Sequence, residues 1–148
     1  MGLFDKVFNQ PEGQTASLTT AEAFAAICLV AIAADGYLSE QENTEMRILL
    51  SRMKLFQDYS SDRLERTKDS LLSRLKQHGP GPLVEAAKAV LPTELAPTAF
   101  AIATDLVLAD GTVTSQEQAF LDDLYRILEL PSELALKIVE VITLKNQG

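Results

Sequence analysis

An all-α fold, a compact bundle of seven to eight helices, is predicted by two features of the sequence. Polar and apolar residues never alternate with period two over a useful length, whereas apolar residues recur at helical spacing from Leu18 to Leu144. The chain also repeats itself at a shift of 75 residues, as a helical hairpin would. With 148 residues and 47% apolar composition, it can bury one core. We expect an N-terminal arm over 1–17 and a single helical domain over 18–148.

Each element follows from local signals. After a short amphipathic start (Leu3, Phe4, Val7, Phe8), Thr19 or Thr20 can cap a helix running to about Ala34; it is apolar all round, so it belongs at the centre of the domain. Gly36 ends that helix, and Ser39 with Glu42 spells a capping box for the next, whose buried stripe is Met46, Leu49, Leu50 and Met53. A third helix spans about Ser61 to Gln77 and carries Arg63, Arg66, Lys68, Arg74 and Lys76 among apolar Leu64, Leu71, Leu72 and Leu75. Pro82, after the Gly79-Pro80-Gly81 turn, opens a helix to about Leu91. Thr93 is expected to cap a helix to Ala109, Thr114 one to Leu128, and Pro131 to start the last, with Leu134, Ile138, Val141 and Ile142 as its buried positions.

The repeat aligns Asp35-Gly36-Tyr37-Leu38-Ser39-Glu40-Gln41-Glu42 with Asp110-Gly111-Thr112-Val113-Thr114-Ser115-Gln116-Glu117. Over 25–50 against 100–125 there are eight identities, where about two are expected from ordinary residue usage. A duplicated helical hairpin with pseudo-twofold symmetry explains them. Gly in the left-handed conformation, Leu or Val plugging the turn, and a Ser/Thr–Glu cap account for most of the phrase without a ligand. They do not account for the Asp, which sits at a helix C-terminus where the dipole disfavours negative charge by about 0.3–1 kcal/mol.

A hard-cation site is the chemical alternative, because carboxylates brought together by a tight turn can share one ion. Asp35, Glu42, Asp110 and Glu117 are the candidate ligands, and their all-oxygen chemistry favours Ca²⁺ or Mg²⁺ over Zn²⁺. The phrase matches only the second half of an EF-hand loop: the upstream ligand positions hold Ala31 and Ala33 in one copy, Leu106 and Leu108 in the other.

These motifs, Ala33-Ala34-Asp35-Gly36 with Glu42 and Leu108-Ala109-Asp110-Gly111 with Glu117, resemble the TerB-like tellurite-resistance family, over about Ala21 to Lys145. The resemblance implies a compact all-α domain associated with tellurite resistance and stress response, holding a metal through those acids.

The net charge of −8 opposes binding to nucleic acid or anionic lipid and favours cations or basic partners. Cys28 and His78 are the only residues of their types, so no zinc framework or Cys–His pair is spelled out, and a reducing, cytoplasmic setting is expected. Asp5 and Lys6 interrupt the apolar start, which argues against a secretory signal, and membrane contact is expected to be peripheral if any. Asp105 is expected on an exposed helix edge. Seven acids face only Arg126 within Glu94–Glu129; Asp122 and Asp123 are the expected contacts for a basic protein partner. Three functions compete: a noncatalytic metal-binding module acting through stress-response partners, a plain interaction domain without metal, and a metal-dependent hydrolase, for which no general base or nucleophile is apparent.

Overall fold

The computed structural model describes residues 17–34, 36–109 and 111–147, so the amphipathic start at Leu3 to Phe8 lies outside the described residues. Seven α-helices and no strand occur among them: α1 Thr20–Ala33, α2 Glu40–Ser51, α3 Ser61–His78, α4 Pro80–Val90, α5 Ala96–Leu108, α6 Ser115–Ile127 and α7 Ser132–Lys145. Short 3-10 turns at Lys54–Phe56 and Thr93–Leu95 complete the path.

Helix α1 occupies the centre because it has almost no polar face. Ala23 through Ala31 are buried without interruption, and α2, α3, α4, α5 and α6 all pack on it. Its many alanines let neighbouring helices come close, while Phe24, Ile27 and Leu29 fill the space between them. Helix α5 is the second central element: it meets α1, α2, α6 and α7 and buries Ala99, Phe100, Ala103 and Val107. The two hairpins touch reciprocally, with α2 against α5 and α6 against α1. One connected core runs from Leu18 to Ala135.

Three of the expected caps form. Thr19, Ser39 and Thr114 each accept from the backbone N–H three residues on, and Glu22, Glu42 and Glu117 return the bond to the cap's own N–H. Thr93 does not cap. The α pattern starting there would need Thr93 C=O to receive the N–H of residue 97, which is a proline; it takes the N–H of Ala96 instead, so the chain winds as a 3-10 turn first. The helix before it starts at Pro80 rather than Pro82. Two further expectations are corrected. Asp105 is buried on the face of α5 that meets α7, and its Oδ1 accepts from Lys145 Nζ and Asn146 Nδ2, both at 3.2 Å. Val141, expected in the core, is 62% exposed, since α7 docks mainly by one side on α5 and buries only Ala135 fully.

Between α2 and α3 lies a charged seam. Lys68 is nearly buried and its ammonium bridges Glu65 and Asp69, each at 2.8 Å. Burial pulls its pKa down, yet the hydrogen bonds it donates to Asp69 and Glu65, and their charges, outweigh burial and hold it above the usual lysine value. Arg47 Nε stands 3.5 Å from Glu65 Oε1, close enough for attraction but too poorly aligned for a hydrogen bond.

The two Gly turns differ in tolerance. Gly36 and Gly111 both have positive φ, 85° and 82°, but a Cβ on Gly36 would stand 2.8 Å from Lys76 Cγ, whereas one on Gly111 meets nothing within 4 Å. Gly111→Ala should therefore cost about 1 kcal/mol from backbone strain alone. Gly36→Ala should cost more, by an amount that Lys76→Ala in the same chain partly restores. Urea melts of the four proteins check this; equal costs at the two glycines would contradict it.

Candidate cation cleft between two capping boxes

The N-terminus of α2 and the C-terminal end of α5 meet at a small open cleft of about 120 Å³, lined by Ser39, Gln41, Glu42, Glu45, Leu106, Val107, Ala109 and Glu117. Both capping glutamates reach it. Glu42 arrives on the third residue of α2 and Glu117 on the third of α6, so two glutamates 75 residues apart in sequence line one cleft. Reciprocal packing of α2 on α5 and α6 on α1 produces that meeting.

Each glutamate is half committed. Glu42 Oε1 accepts the Ser39 N–H at 3.1 Å, and Glu117 Oε1 accepts the Thr114 N–H at 2.9 Å. The described residues give neither Oε2 a hydrogen bond, so that oxygen is the one each can offer a ligand. The cap also fixes the side-chain rotamer, which lowers the entropy lost when a ligand binds. Glu42 and Glu117 are half-buried.

Sequence reasoning overlooked Glu45. It lies one turn beyond Glu42 on the same face of α2, and that spacing was the available signal. Its Oε1 accepts from Gln41 Nε2 at 3.1 Å. The corresponding position in the second hairpin is Phe120, so the third carboxylate stands on one side only.

Carboxylates from two sides and the negative end of the α5 dipole make the cleft attractive to a cation. The N-terminus of α2 opposes this, although the capping box satisfies two of its N–H groups, those of Ser39 and Glu42. The donors are all hard oxygens, which suits Ca²⁺ or Mg²⁺. Among the described residues, no three His, Cys, Asp or Glu side chains gather closely enough to form a complete ligand set. Asp35 and Asp110, the other two candidate ligands, lie outside the described residues. They adjoin Gly36 and Gly111, whose N–H groups bond to Ala33 and Leu108 and fold each turn back on its helix end.

Other candidates fall elsewhere. Asp122 and Asp123 are exposed on α6, and Asp123 stands 3.8 Å from Arg126. Cys28 is fully buried in α1, and burial pushes its thiol up to about 12, so it is an inert core residue. His78 is the exposed last residue of α3. No helix among the described residues is long and apolar enough to cross a membrane.

Comparison with known proteins adds one finding. The family model described as tellurite resistance protein TerB matches residues 21–137, a span that contains both hairpins and the whole cleft. Neither the curated proteins nor the solved structures contain a match. Because that model covers most of the chain, from the first turn of α1 into α7, the protein belongs to the TerB tellurite-resistance family.

Proposed function

We propose that this chain is a noncatalytic, cation-binding helical module of a tellurite-resistance or stress response, which acts by docking onto other proteins. The observation that carries the reading is the meeting of Glu42 and Glu117 in one cleft. In the proposed site, the Oε2 atoms of these glutamates and the carboxylates of Asp35 and Asp110 hold one Ca²⁺ or Mg²⁺, and water completes its coordination. We propose further that the two hairpins descend from one duplicated unit, whose recurrence brings four acids to a single place.

Two other readings make different demands on the same residues. A plain interaction domain needs Glu42 and Glu117 only as caps, a role they perform. A hydrolase needs a general base or nucleophile beside the metal: the described lining holds no His, Cys or Lys, the Ser39 hydroxyl accepts from the Glu42 N–H at 3.1 Å, and Glu45, whose Oε1 accepts from Gln41, is the carboxylate such a reading would have to use. In the favoured reading, ion occupancy lowers the negative charge beside α6 and so tunes attraction between Asp122, Asp123 and a basic partner.

Thermal melts test the site. Calcium or magnesium at millimolar concentration should raise the melting temperature of the wild type by several degrees, since a ligand at ~100 times its Kd adds ~2.7 kcal/mol. Asp35→Asn and Asp110→Asn should each reduce the rise while leaving the metal-free melt nearly unchanged. A wild-type melt indifferent to both ions would sink the reading.

A further inference from the structure

Five large hydrophobic side chains are exposed among the described residues, and three of them, Leu136, Val141 and Leu144, lie on α7 at 59%, 62% and 68% exposure. They are not scattered. Glu133, Lys137, Glu140 and Leu144 follow at helical intervals and form one line along the outer side of α7, with Leu136 and Val141 on either flank. The opposite side is anchored to α5 through Ala135 and, at its end, through the bond from Lys145 to buried Asp105. A fixed helix thus presents a mixed face, in which exposed Leu136, Val141 and Leu144 stand beside Glu133, Lys137 and Glu140.

We propose that this outer face of α7 is the contact surface of a two-fold homodimer in which two copies of α7 cross antiparallel, centred between Ile138 and Val139. The charges select that register. It sets Lys137 opposite Glu140 of the partner subunit and Leu136 opposite Val141 of the partner subunit, and two-fold symmetry makes each pair twice. Leu144 then covers the stem of Glu133 of the partner subunit. A crossing centred on Glu140 would bury more leucine by matching Leu136 with Leu144, but it would set the two Glu140 carboxylates face to face, so it is disfavoured. The pattern is self-complementary in one register and self-repelling in the other. A single helix face of 14 residues, about 21 Å long, buries less than the ~1,200 Å² of a standard stable complex, so the dimer is weak and depends on concentration.

Sedimentation equilibrium of the full chain, from about 10 μM to about 1 mM, is the test, because weak association is populated in that range. The wild type should pass from monomer to dimer. Lys137→Glu and Glu140→Lys should each raise the dissociation constant about tenfold by replacing two attractions with two repulsions, and the double reversal should restore it to within about threefold. Val141→Glu should abolish association. All three positions are exposed, so each variant should keep the wild-type circular dichroism. A wild type that stays monomeric throughout overturns the proposal; loss of amide protection on α7 after deletion of residues 1–16 would then assign the face to the chain's own arm. A dimer indifferent to the single reversals, or not rescued by the double, also overturns it.

Discussion

Phe24→Ala should lower the free energy of unfolding by about 3–5 kcal/mol, a large part of the 5–15 kcal/mol that holds a typical domain together. Phe24 is fully buried near the start of α1, the helix on which five others pack. Truncation there removes apolar area from the core and leaves a cavity. The cavity cannot collapse easily, because the alanines of α1 already hold neighbouring helices close and any inward shift would disturb several contacts at once. Urea denaturation should show a lower midpoint with an unchanged slope, and the exposed Leu144→Ala should change stability by less than about 0.5 kcal/mol. A Phe24→Ala loss below about 1 kcal/mol would mean that α1 is not the structural centre.

The second large effect separates the two jobs assigned to Glu42 and Glu117. As N3 partners of capping boxes, they accept the N–H of Ser39 and Thr114. The double substitution Glu42→Ala/Glu117→Ala removes both acceptors and should cost about 1–2 kcal/mol, the usual scale for losing caps at two helices. Glu42→Gln/Glu117→Gln keeps an amide oxygen at the same reach, so it should preserve most of the cap while deleting both charges. Its loss should stay under about 1 kcal/mol, from weaker interaction with the helix dipoles. Thermal and urea melts of the two doubles in chelator check the contrast. If both cost the same, the carboxylate charge, not the acceptor oxygen, does the capping.

Local signals were the legible ones. Thr19, Ser39 and Thr114 cap helices because side chain, backbone and glutamate all lie within four residues of one another, and the turns at Gly36 and Gly111 are equally local. The central place of α1 followed from its lack of a polar face. Pro97 is tolerated in the first turn of its helix, as expected, but only because that helix starts at Ala96; a start capped by Thr93 would have placed the proline where an N–H is needed. Asp105 was unreadable for a different reason. Its partner Lys145 is 40 residues away, and only the docking of α7 on α5 brings the two together. Val141 has the right period for the core, but a helix packed on one side leaves part of an apolar stripe in solvent. The candidate site divides the same way. Its residue types and duplicated spacing were visible along the chain, whereas the meeting of Glu42 with Glu117, and the addition of Glu45, depend on how two hairpins pack.

Isothermal titration calorimetry of Ca²⁺ and Mg²⁺ into chelator-treated wild type and into Glu42→Gln/Glu117→Gln, in parallel, puts the cation cleft to its most direct test. With the fold and caps of the glutamine pair checked by the melts above, any change in binding reports on charge at the cleft. The account predicts saturable binding of one of the two ions to the wild type, and affinity at least about 100-fold weaker in the variant, equivalent to about 2.7 kcal/mol. No saturable heat at millimolar ion, or equal affinity in the two proteins, would contradict it and leave Glu42 and Glu117 as helix caps alone.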